Sequence, residues 1–234
     1  MTSQKISLSY GSHSFDVQLE YRDRKTLSIS VLPDCSIVAL APLGAAASDI
    51  GNRLRKRAGW IKKQLDYFDQ FKPLTPPRQF VAGETHLYAG RQYRLKFEQG
   101  VSEGVKLKGR FFHVTMRDPS SDKAQSLMTQ WYKTRATDLF MRRLAECLKR
   151  FPDKAAPELV LKRFKARWGG MSPKGILTLN PDLVRAPVEC IDYVILHELC
   201  HIEHPHHGPA FWHLLEQKSP NWQRLKHRLE MSLK

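Results

Sequence analysis

Apolar and polar residues alternate through the first part of the chain; from about residue 48 the apolar ones recur three and four apart. Phe15, Val17, Leu19 and Tyr21 fall on one side of an extended segment. So do Leu27, Ile29 and Val31, and Ile37 with Val38 follows a turn at Pro33-Asp34. This predicts an antiparallel meander over 5–41 with one buried face. Between 48 and 71, Ile50, Leu54, Ala58, Ile61, Leu65 and Phe68 form a helical stripe, with Ser48 placed to cap it. Asn52, Arg55, Lys56, Lys62 and Lys63 lie on the opposite face, and Pro73, Pro76 and Pro77 mark a connector after it.

Short strands are predicted next, at 79–81, 86–89, 93–97, 105–107 and 111–116, punctuated by glycines. A second long helix, 121–151, carries a stripe that drifts from Ala124, Leu127, Met128 and Trp131 to Phe140, Leu144, Cys147, Leu148 and Phe151. Such drift implies that different neighbours cover its two ends. Strands at 159–164 and 176–179 flank a turn region at Gly169-Gly170, and helices follow at 187–203, 208–217 and 220–231. The sequence shows no internal repeat.

With 234 residues the chain can bury a sizeable core. Its formal charge of +15 and pI near 9.8 attract polyanions, which makes nucleotides or nucleic acid candidate partners of a basic surface beside the plain reading of a solvated one. No apolar run approaches the ~18 residues a membrane span needs. The residues after Met1 do not form a signal peptide, so a cytoplasmic location is expected. Cys35, Cys147, Cys190 and Cys200 show no CxxC spacing and read as small apolar residues in a reducing compartment.

The stretch 187–213 changes the picture. It contains His197-Glu198-Leu199-Cys200-His201, an HExxH pentapeptide, in a segment where Ile191, Val194, Ile195, Glu198 and His201 share helical spacing. One helical turn puts the imidazoles of His197 and His201 on the same face, where both reach one metal ion; Glu198, about 100° round, can hold a water on it. Pro205 and Gly208 then break the helix and fold the chain back. His204, His206 and His207 lie on that return, and any of them could supply the third ligand of a catalytic zinc site. His207 stands six residues past His201, the interval of HExxHxxGxxH sites, although His204 occupies the place of the turn glycine there. Glu216 and Glu230, further on, are carboxylate alternatives ranked below it. Tyr193 and His206 are nearby donors for a developing oxyanion. The expected architecture is α+β. A β-rich N-terminal region, 1–117, carries helix 48–71, and 118–234 forms a compact zincin-like helical catalytic domain with a small sheet.

The segment HELCHIEHPHHGPAFW closely resembles the HELxH…NHxxxFW run of the YgjP-like zinc metallopeptidase family, itself related to SprT-like and WLM metallopeptidases. The likeness extends to Arg167-Trp168-Gly169, Lys174-Gly175, Leu179-Asn180 and Ala186-Pro187, and near the start to Arg24-Lys25-Thr26, Ala41-Pro42 and Trp60-Ile61, covering about 20–230. It implies a Zn2+ hydrolase acting on peptide or protein, with His197, His201 and His207 as ligands and Glu198 as catalytic base. One departure stands out: the family's RWGSCS reads Arg167-Trp168-Gly169-Gly170-Met171-Ser172 here. Two other readings keep the site. One is a metal-dependent nucleoside triphosphate pyrophosphatase, against which stands the lack of a GxxxxGK loop. The other is a nucleic-acid-associated protease.

Overall fold

The computed structural model describes residues 3–11, 13–32, 34–70, 77–164 and 167–233. They fall into two compact units, Met1–Thr75 and Pro76–Leu233. A division at 117 is therefore not the one that packing draws. Phe112, Val114 and Met116 share a core with Ala124, Met128 and Phe140 of the following helix, so the strands before 117 and that helix belong together. Mixed α+β architecture holds throughout.

The first unit comprises β1 (Ser3–Tyr10), β2 (His13–Arg22), β3 (Ser28–Val31), β4 (Ile37–Pro42) and the helix α1 (Ala47–Asp69). Its sheet runs β1-β2-β4-β3. The expected meander is corrected at the centre, where β2 pairs with β4 in parallel, Val17 beside Ile37 and Leu19 beside Ala39. Alternation reports which side of a strand is buried, and it is the same for either pairing direction. Leu8, Val17, Leu19, Ile37 and Ala39 meet Ile50, Leu54, Ala58 and Ile61 of α1, all essentially inaccessible. Ala46 caps α1, with no side-chain bond; Ser48 lies inside the first turn. Pro33 and the connector up to Pro76 lie outside the described residues.

The second unit opens with β5 (Thr85–Tyr88), β6 (Arg91–Gln99), β7 (Gly104–Lys108), β8 (Phe111–Met116) and α2 (Ser121–Leu148). The sheet order, β5-β6-β8-β7, repeats that of the first unit: hairpin, parallel central pair, then an antiparallel outer strand, followed by a long helix. The repeat that is invisible in the residues is thus present in the topology. Segment 79–81 does not form a strand; Glu84 accepts the backbone N–H groups of Gln79 and Phe80 and folds it back. Ser120 caps α2 by accepting from the Lys123 N–H at 3.3 Å.

Beyond α2 come β9 (Glu158–Leu161), β10 (Gly169–Met171), β11 (Ile176–Leu179), a 3-10 turn Pro181–Arg185, and helices α3 (Val188–Cys200), α4 (Pro209–Lys218) and α5 (Trp222–Ser232). The small sheet runs β10-β11-β9, with β11 parallel to β9 and antiparallel to β10. The β5–β6 turn docks on the 3-10 turn, as Ala89 and Gly90 donate to the carbonyls of Val184 and Arg185. Arg143 of α2 grips Asp192 of α3 with two 2.7 Å bonds, a planar pairing that fixes the rotation of α3. Ile191, Ile195, Leu196 and Leu199 of α3 are fully buried. The four cysteines are free thiols, three of them buried. Among the described residues no helix is long and apolar enough to cross a membrane.

Candidate metal centre

α3 puts His197 and His201 one turn apart, as the spacing requires. The chain turns at 201–203, with the N–H groups of Ile202 and Glu203 donating to Leu199 and Cys200. It returns into α4, which begins at Pro209 after Gly208. The return carries His207 back over the end of α3. One nitrogen from each of His197, His201 and His207 lies within 4.8 Å of the other two. Among the described residues this is the one such group of metal-ligating side chains. His204, His206, Glu216 and Glu230 are not in it. His204 instead offers its backbone carbonyl to Nδ1 of His201 at 3.1 Å. Glu216 accepts the indole N–H of Trp222 at 2.6 Å.

The donor set fits a cation. Nε2 of His197 and Nε2 of His207 stand 3.0 Å apart, close to the ~3.3 Å edge of a tetrahedron with bonds of about 2 Å. Two imidazole lone pairs facing each other at that range repel unless a proton or a cation lies between them. Burial, and then the neighbouring charges of His207 and His201, depress the pKa of His197 to about 3; burial also lowers that of His207. Both rings are therefore neutral at ordinary pH, the state a metal takes. The bond from His201 Nδ1 to the His204 carbonyl fixes the proton on Nδ1 and leaves Nε2 as the donor atom. Nδ1 of His197 is buried and has no hydrogen-bond partner. Packing holds this ring instead, against Phe211 at 5.0 Å and Tyr193 at 6.1 Å between centroids. His207, the most exposed of the three, lies against Trp212 at 5.4 Å with 29° between planes, and Trp212 donates its indole N–H to the His207 carbonyl at 3.0 Å. Trp222 stacks on Trp212 in turn, at 4.8 Å.

Glu198 leaves α3 on the side that faces β10. It is 7% exposed, and burial raises its pKa to about 7 against the opposing effects of the Arg167 charge and the Met171 N–H. A Cβ on Gly169 would lie 2.9 Å from Oε1 and 3.0 Å from Cγ of Glu198, so no side chain fits there without moving the carboxylate. In the β10–β11 ladder, Trp168 and Ser172 bond to Asn180 and Ile176. By alternation Gly169 and Met171 turn their backbone groups away from β11, to the free edge. Glu198 takes the Met171 N–H there. Because a backbone group does this, the bond is indifferent to the replacement of the family's Ser-Cys by Gly170-Met171. A cavity of about 710 Å³ joins these parts, lined by the three histidines, Glu198, Arg167 and β10. Tyr193, buried with its hydroxyl pKa raised by burial, does not line it. The alternation rule does not find β10, because two of its three residues are glycines, and Arg167 is singled out in the sequence only by resemblance.

The sequence model of the family described as YgjP-like, metallopeptidase domain, matches residues 25–232. Among solved structures, the metallopeptidase zymogen abylysin of Pyrococcus abyssi is similar with 21% identity, over 40% of this chain and 94% of that one, at a TM-score of 0.37. The metallopeptidase zymogen jannalysin of Methanocaldococcus jannaschii is similar with 24% identity, over 41% and 90% of the two chains, also at 0.37. A search of curated proteins gives no match.

Proposed function

The chain belongs to the YgjP-like metallopeptidase family, and from that premise we propose that it is a zinc-dependent peptidase whose ligands are His197, His201 and His207 and whose base is Glu198. The single observation that carries the reading is the convergence of three imidazoles beside a buried carboxylate on one cavity. Three nitrogen donors with no oxygen among them favour zinc over magnesium or calcium. Bound there, the ion supplies Lewis-acid chemistry, acidifying water and polarising a peptide carbonyl.

The protein's own part is positioning and proton transfer. Glu198, with its pKa raised to about 7 by burial, accepts a proton from the attacking water and later delivers it to the departing amine nitrogen. Gly169 leaves room for the carboxylate, and the Met171 N–H holds its orientation. The outward groups of Gly169 and the outward carbonyl of Met171 offer a short sheet edge to an extended peptide, which aligns a scissile bond along the cavity.

The test is hydrolysis of unfolded protein by the metal-loaded chain, run beside nucleoside triphosphates, with His207→Ala as control. Cleavage of protein, together with loss of zinc from His207→Ala in elemental analysis, is the expected result. Triphosphate hydrolysis without proteolysis, or full zinc occupancy in His207→Ala, overturns the reading.

A further inference from the structure

Beyond the peptidase reading, and independent of it, we propose that the outer face of α1 binds single-stranded nucleic acid, with phosphates on its arginines and lysines and a base stacked on Trp60. Four cations and one indole gather on the arc away from the core. Arg53, Lys56, Arg57, Trp60 and Lys63 fall within about 120° of the helix circumference, an arc that runs from Arg57 beside the stripe of Ile50, Leu54, Ala58 and Ile61 to Lys56 and Lys63 opposite it. All five are exposed, Trp60 to 40%.

None of the four cations has a carboxylate partner among the described residues. The sole acid on the arc is Asp49, in the first turn. Other cations do have such partners: Lys62 bonds Asp66 on the flank of this same helix, and along α2 and its C-cap Lys123, Arg135, Arg143 and Lys149 are paired with Glu103, Asp138, Asp192 and Glu146. Four cations without a carboxylate partner thus share one arc of α1 with an exposed indole.

A second aromatic flanks it. The hydroxyl of Tyr10, 45% exposed, approaches the helix so closely at Gly59 that a Cβ there would stand 3.1 Å from it. It lies between Lys56 and Lys63, one turn to either side. Cations alone would serve an acidic peptide, and a lipid surface calls for a continuous apolar patch, which this arc lacks. Partly exposed aromatic residues set among unpaired cations are what unstacked bases and their phosphates recognise. A duplex keeps its bases stacked and offers only the phosphates.

The experiment is fluorescence anisotropy of the full chain with a labelled single strand of about 12 nucleotides, beside the matching duplex, a polyglutamate peptide and anionic phosphatidylserine vesicles. Engagement of four phosphates predicts an affinity falling about 50-fold as salt rises from about 0.05 to 0.2 M. Trp60→Ala should lose about tenfold and Trp60→Phe retain most of the binding. Lys56→Glu with Arg57→Glu should lose at least tenfold while circular dichroism stays unchanged. Unaltered affinity in Trp60→Ala, insensitivity to salt, or equal or tighter binding of duplex, peptide or vesicles overturns the proposal.

Discussion

α1 and α2 each follow a four-stranded sheet of the same strand order, yet they are buried to different depths. α1 hides four residues along one stripe. α2 hides nine, with Ala124, Met128 and Trp131 near its start and Phe140, Leu144 and Cys147 toward its end. The stripe drifts because the early residues pack with the sheet and the later ones with the α3 side of the core, to which Arg143 and Asp192 tie it. A helix covered on one side needs one stripe and can give its other face to solvent or ligand. A helix covered on two sides becomes part of a scaffold. The same topology thus ends the first unit and forms the middle of the second, and only the second carries the candidate metal centre.

The sharpest division between the two copies is chemical. Glu198→Gln should lower kcat for peptide hydrolysis at least about 10³-fold while elemental analysis finds the metal content unchanged. Retained turnover in the loaded variant would remove the functional contrast. Core truncations come next. Phe140→Ala should destabilise the second unit by about 3–5 kcal/mol, and Leu54→Ala should cost the first about 2–5 kcal/mol. Hydrogen exchange should quicken in β1–β4 and α1 for Leu54→Ala with α3 protected as before; equal loss in α3 would mean the two cores are one. Smaller is Gly169→Ala, whose methyl displaces the Glu198 carboxylate. We expect kcat to fall about 10- to 100-fold with ion content intact. Smallest is Trp212→Phe, which keeps a ring on His207 but deletes the N–H bonded to its carbonyl. Chelator competition should show metal affinity reduced about tenfold, and unchanged affinity would mean packing alone fixes that histidine.

How much of this is legible in the residues follows from what each signal measures. Helical spacing locates α1, α2 and α3 within a few residues because a stripe of Leu, Ile and Phe records one buried side. Strand alternation records burial as well but not direction, so the parallel β2–β4 and β6–β8 pairs escape it. β10 escapes altogether, since Gly169 and Gly170 have no side chains to alternate. The unit boundary is hidden for a related reason: whether β5–β8 go with α1 or α2 depends on which core Phe112 and Val114 enter, and no local pattern states that. By contrast, the three histidines are readable in the sequence because ten residues separate the first from the last. Their meeting needs only a helix turn and a break at Pro205 and Gly208. The role of Arg167 on the cavity needs the whole sheet in place.

That compactness along the chain bears on what an ion can do for the molecule. A cation held by His197, His201 and His207 cross-links positions already neighbours in the polymer, so it closes a small loop and removes little chain entropy. On the proposed reading it would therefore work as a reagent more than as a rivet: stripping it would silence the reaction while the two cores, which owe it no residue, stay assembled.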